Sequence, residues 1–127
     1  MKKEIINTNK APQAIGPYSQ AVRVGDTVYI SGQIPLDSET KALVGDGFAE
    51  QAHKVFTNLS AVAQASGGSL DDAVKLTVYL TDLGDFAQLN EIMVNYLNEP
   101  FPARATIQVG ALPLGSLVEV DAVLHLS

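Results

Sequence analysis

Apolar residues recur along the chain in two rhythms, and the changes of rhythm mark the elements. Over 48–66 the apolar positions Phe48, Ala52, Val55, Phe56, Leu59, Val62 and Ala63 share one stripe, which predicts an amphipathic helix. Asp46 is its expected N-cap and Gly67-Gly68 its expected end. Phe86, Leu89, Met93, Tyr96 and Leu97 give a second helix the same inward stripe, with Asp85 as its cap and Glu99-Pro100 closing the segment. Elsewhere the period is two. Val74, Leu76, Val78 and Leu80 alternate with Lys75, Thr77, Tyr79 and Thr81, after a capping-box-like Ser69-Leu-Asp-Asp72. Arg104, Thr106 and Gln108 alternate with Ala105, Ile107 and Val109. Val118, Val120, Ala122, Leu124 and Leu126 alternate with Glu119, Asp121, Val123 and His125.

Three short strands are expected before the first helix: 3–6, 19–24 and 27–31, the last two joined by a Gly25-Asp26 hairpin loop. Gly32 is expected to end the third strand, with Pro35 barring its continuation and a polar loop over 36–45. The order βββαβαββ predicts an α+β domain, one mixed sheet with both helices on one face. The other face would carry Val22, Val24, Tyr29, Tyr79 and Val123, too apolar to leave wet. Burial against copies of the same chain is the expected remedy.

Composition narrows the function. With 127 residues, 46% of them hydrophobic, a single domain over 1–127 with a sizeable core is expected. There is no membrane-length apolar run and no signal-like start, so a cytoplasmic location is expected. Cysteine is absent, which removes thiol nucleophiles, disulfides and thiolate metal sites. The two histidines, His53 and His125, are far apart, and no metal is expected. His53 reads as a residue at the edge of the first helix stripe. A net charge of −6 without a basic patch counts against nucleic acid as the main partner.

The candidate chemistry lies near the C-terminus. Arg104 is one of only two arginines, and the stiff Pro102-Ala103 lead-in presents its guanidinium. A guanidinium forks onto a carboxylate through two parallel hydrogen bonds. Glu119 is set among apolar positions, where a carboxylate can orient or deprotonate a water. From the residues alone a structural ion pair, or two charges that simply face solvent, is the plainer explanation. In a tight hairpin pairing Val109 with Leu117 the two would stand on opposite faces.

The segment P-A-R-A-T-I-Q-V-G-A-L-P, followed by L-V-E-V-D, resembles the C-terminal signature of the Rid, or YjgF, family of reactive-intermediate deaminases. I-G-P-Y-S-Q at 15–20, S-G-Q-I-P at 31–35 and V-Y-L-T-D-L-G-D-F at 78–86 match as well, so the resemblance spans nearly the whole chain. It implies a fold like the small chorismate mutases, assembled as a homotrimer with sites in the clefts between subunits. It implies hydrolysis of 2-aminoacrylate and 2-aminocrotonate, through their imine tautomers, to 2-oxo acids and ammonia, with no cofactor. By the resemblance Arg104 clamps the substrate carboxylate, Gly32 adds a backbone N–H and Glu119 holds the attacking water. Tyr18, Ser31 and Asn90 match pocket positions. Thr106 stands where many such deaminases have cysteine, and Asp121 where a second glutamate is common. Endoribonuclease or translation-inhibitor activity, or a non-catalytic ligand-binding or chaperone role, are the other classes the family offers.

Overall fold

The computed structural model describes residues 1–127. Strands β1 (Glu4–Ile6), β2 (Ala21–Val24) and β3 (Thr27–Gln33) precede helix α1 (Phe48–Ala65). Strand β4 (Ala73–Leu80), helix α2 (Phe86–Met93), β5 (Ala103–Gln108) and β6 (Val118–His125) follow. All six strands form one sheet in the order β1-β2-β3-β6-β4-β5, and β4–β5 is its only parallel pair. This is the expected α+β architecture.

Local chemistry explains most of the element boundaries. Gly25 takes a φ of +60°, which lets Val24 pair with Thr27 across the hairpin. The seven apolar residues of the α1 stripe are all buried, together with Gln51 and Asn58. Those two amides are tied to the sheet's connections. Gln51 accepts the Leu117 N–H (2.8 Å), and Asn58 donates to the carbonyls of Ile34 and Leu36. They therefore seat the entry of β6 and the exit of β3 on the helix. At the helix end Gly67 adopts φ +99°, and the Gly68 N–H donates to the Ala63 carbonyl (3.1 Å). The turn over 69–72 has its capping box: Ser69 Oγ accepts the Asp71 N–H, and Asp72 accepts the Ser69 N–H.

Several expectations are corrected. The N-cap of α1 is Gly47, in extended conformation and without a side-chain cap, so Asp46 sits one residue too early. Asp85 begins α2 but makes no capping bond; Asp82 accepts the Gly84 N–H and supports the turn before it. Val74 falls in a bulge between Ala73 and Lys75 and is half exposed instead of in the core. Phe86 and Tyr96 are not fully inward. Phe86 is partly exposed, and Tyr96 stacks on Phe56 while bonding His53 Nδ1 at 2.7 Å. Gly32 does not end its strand; β3 continues to Gln33 through a bulge at 31–32.

The sheet has two unequal faces. Val28, Ile30, Leu76, Val78, Leu80, Val120, Ala122 and Leu124 form the buried, helix-covered face. On the other face Val22, Val24, Tyr79 and Val123 are part-exposed and Tyr29 is 55% exposed. Strand β5 is an edge with no buried residue, and its Ile107 is 44% exposed.

Candidate active site in two halves

Arg104 is aimed by strand register. It pairs with the buried Leu76, so its side chain leaves the sheet on the helix face and meets α2. Its Nη1 donates to Asn90 Oδ1 at 2.7 Å and lies 3.4 Å from Met93 Sδ. Its Cζ stands 5.0 Å from the centroid of the Phe86 ring, a cation–π contact that fixes the guanidinium plane. No carboxylate pairs with it; the only salt bridge in the chain joins Arg23 to Asp26. Of its five N–H donors, those on Nε and Nη2 have no protein partner, so a forked edge stays available. It borders a cavity of about 470 Å³ walled by Asn90, Met93, Val94, Leu97, Phe101 and Pro102. A fixed cation in an apolar cavity suits a small organic acid. Thr106 shares this face, pairing with Val78, and its buried Oγ1 has no hydrogen-bond partner.

Glu119 is aimed the other way. It pairs with Tyr79 and stands on the face the helices do not cover. Its half-buried carboxylate packs against Gly32, where any Cβ would overlap it. That requirement gives the glycine a packing role beyond chain punctuation. The bulge at Ser31-Gly32 lies opposite Asp121 and leaves this stretch of backbone outside the regular ladder. Ser31 Oγ donates to the Ser19 carbonyl (2.6 Å), and the Ser31 N–H donates to the Gln20 carbonyl. Tyr18 and Gly32 line a second cavity of about 280 Å³, bounded by Gln13, Ile15, Pro113 and Leu114. Burial, and then the charge of Asp121, push the Glu119 carboxyl above the ordinary carboxylate range. Asp121 accepts the Tyr79 hydroxyl at 3.0 Å, and burial followed by that bond pushes the Tyr79 phenol up.

The expected site residues thus gather in two groups. Arg104, Asn90 and Thr106 lie at the β5 edge on the helix face. Tyr18, Ser31, Gly32 and Glu119 belong to β3, β6 and the turn before β2. Strand β4 separates β5 from β6, and the two charged residues stand on opposite faces. Within one chain Arg104 and Glu119 do not form an ion pair. No group of three or more His, Cys, Asp or Glu side chains lies close enough to hold a metal ion.

Other contributors had no site role read from the sequence, although Gln20 and Phe86 each end a matching motif. Phe86, expected in the inward stripe of the second helix, stacks on Arg104, and Phe101 walls the Arg104 cavity. Gln20 is buried and clamps the 8–12 loop: Nε2 donates to the Thr8 and Pro12 carbonyls, and Oε1 accepts the Thr8 N–H.

Known proteins share this architecture and sequence. Residues 8–126 match the family model described as Endoribonuclease L-PSP. The chain is 49% identical over 121 residues to human 2-iminobutanoate/2-iminopropanoate deaminase, covering 95% of this chain and 88% of that one. The crystal structure of RidA from the Antarctic bacterium Psychrobacter is 56% identical, with a TM-score of 0.94, over 97% of this chain and 99% of that one. Escherichia coli TdcF with bound serine is 38% identical, with a TM-score of 0.91, over 98% and 99% of the two chains.

Proposed function

From the premise that the chain belongs to the Rid family, described also as Endoribonuclease L-PSP, we propose that it hydrolyses small 2-imino acids to 2-oxo acids and ammonia. The substrates of this reading are 2-iminopropanoate and 2-iminobutanoate, the imine tautomers of 2-aminoacrylate and 2-aminocrotonate. One observation carries it: a guanidinium backed by Asn90 and Phe86 offers an unpaired edge to an apolar cavity. A substrate with one permanent charge, a carboxylate, and a short alkyl group fits that edge. The deaminase relatives and the serine bound to TdcF support an amino-acid-sized ligand.

In this reading Arg104 forks onto the substrate carboxylate. Glu119, with its raised proton affinity, takes a proton from a water as that water attacks the C=N carbon. The carbinolamine collapses as the nitrogen gains a proton, releasing ammonia and leaving the 2-oxo acid. A protonated imine is already electrophilic, so positioning does much of the catalysis and no covalent nucleophile is needed.

Arg104 and Glu119 stand on opposite faces of one sheet, so a single chain does not present both to one small molecule. A homotrimer resolves this by laying the β5 edge of one chain beside the Gly32–Glu119 cleft of the next. The bare edge and the part-exposed apolar face support that assembly. The other reading, ribonuclease action, takes support from the family description alone, and the net charge of −6 opposes it. The deciding experiment adds the protein to a serine or threonine dehydratase reaction. Faster release of ammonia and 2-oxo acid is expected, and an unchanged rate would overturn the reading.

A further inference from the structure

We infer that Asp121 is a positioning residue for the chemistry at Glu119: seated by the Tyr79 hydroxyl, its negative charge beside the half-buried Glu119 carboxylate strengthens that carboxylate as a base. The inference rests on the proposed role of Glu119 as the base that activates water.

The geometry is local and well defined. Glu119 and Asp121 are alternate residues of β6, so both stand on the face away from the helices, roughly 7 Å apart along the strand. Tyr79 pairs with Glu119 through its backbone but sends its hydroxyl to Asp121 Oδ2 at 3.0 Å. Its ring therefore spans from the row of one carboxylate to the row of the other. That bond removes the freedom an aspartate on a strand would otherwise have to turn into water.

Few other charges reach this face. Lys75, on β4, pairs with Val123 and lies one row beyond Asp121, two rows from Glu119. Tyr29, on β3, also pairs with Val123, and His125 lies at the far end of β6 opposite Thr27. The residues of β5 on this face are Ala103, Ala105 and Ile107, and those of β2 are Val22 and Val24. Both helices and the same chain's Arg104 are on the opposite side. In the proposed trimer the Arg104 of the neighbouring chain faces Glu119 across the cleft alike in every variant. Within one chain Asp121 is thus the first charge Glu119 meets along the sheet. An asparagine would accept the Tyr79 hydroxyl equally well. What aspartate adds is a second negative charge beside a half-buried carboxylate, which keeps Glu119 a stronger base.

The test is the pH profile of 2-oxobutanoate formation from 2-iminobutanoate, generated from 2-aminobutanoate by an L-amino acid oxidase kept in excess. Activity should fall on the acid side as Glu119 is protonated. Asp121→Asn keeps the acceptor for Tyr79 and should move that limb down by about 0.5–1.5 pH units. Asp121→Glu keeps the charge and should leave the limb near its original place. The imine's own titration is common to all variants and cancels in the comparison. Should the asparagine variant not fold, Asp121→Ser, also neutral, reads the same shift. An unmoved limb in a folded neutral variant, with Glu119→Gln abolishing the limb, overturns the role of Asp121 and leaves the base reading intact. Full activity with an ordinary limb in Glu119→Gln overturns both.

Discussion

Strands β5 and β6 both pair with β4 and both alternate in sequence, yet they live in opposite environments. β6 has neighbours on both sides, and its residues are buried at every second position from Val118 to Leu124. β5 has one neighbour and no buried residue, although it carries Ala105 and Ile107. Each strand contributes one charged residue to the candidate site, and the two leave the sheet on opposite faces. An alternating pattern marks a strand, but it does not reveal how many neighbours the strand has. An apolar edge left bare is a surface still to be covered.

That contrast can be broken at several points, and the largest effect is expected at the β5 edge. If Arg104 forks onto the substrate carboxylate as proposed, Arg104→Ala removes two charge-assisted hydrogen bonds of roughly 1.5–3 kcal/mol each. It should lower kcat/KM by about 10²–10⁴ in steady-state assays on 2-iminobutanoate. Arg104→Lys keeps the charge without the fork and should recover only part of the loss. Full recovery would point to simple charge attraction.

On β6, Glu119→Gln should lower kcat by a comparable or smaller factor, about 10²–10⁴, because general-base assistance is lost. Stability should move the other way. The folded-state proton affinity of Glu119 is raised, so stability is fully present below its unfolded-state pKa and is lost as pH rises through the folded-state value. Glutamine abolishes that loss. Thermal melts at pH 7 should therefore show a midpoint equal to or above that of the parent, and a clear drop would mean that the ionised carboxylate is a structural need.

The exposed apolar positions should respond more modestly. Ile107→Lys places a charge on the bare edge strand, at a site proposed to be covered by a second chain. Sedimentation equilibrium should show self-association weakened about tenfold or more. An unchanged association constant would remove Ile107 from the interface. Thr106→Val should have the smallest effect. It deletes a buried hydroxyl that has no partner in the chain, and activity should fall by less than about tenfold. A loss as large as that of the Glu119 variant would put the hydroxyl in the chemistry.

The elements were legible where burial follows a simple period. The α1 stripe, the β4 alternation from Leu76 onward, the β6 alternation and the Gly25 hairpin stand where the pattern placed them. Boundaries set by bulges were not legible. The extra residues at Val74 and at Ser31-Gly32 are one-residue departures that hydrophobic periodicity cannot register. At the site, the candidate residues come from motifs, and opposite faces for Arg104 and Glu119 follow from their alternation only once a strand pairing is assumed, so the insertion of β4 between their strands was not legible. That Arg104 faces the helices and Glu119 faces away follows from their register on β4, opposite Leu76 and Tyr79, pairings over long sequence distance. The Phe86 stack and the Tyr79–Asp121 bond depend on side-chain reach across that same pairing.

The shared site is tested most directly by mixing two inactive chains. Arg104→Ala and Glu119→Gln proteins are unfolded together, refolded at equal concentration and assayed for 2-oxo acid release. If the site lies between chains, about one quarter of the sites in a random mixture draw Arg104 from one parent and Glu119 from the other. Activity should then return to about that fraction of the parent protein's. If one chain holds the whole site, every site in the mixture lacks one of the two residues. Activity no higher than the average of the two variants alone would contradict the two-chain site.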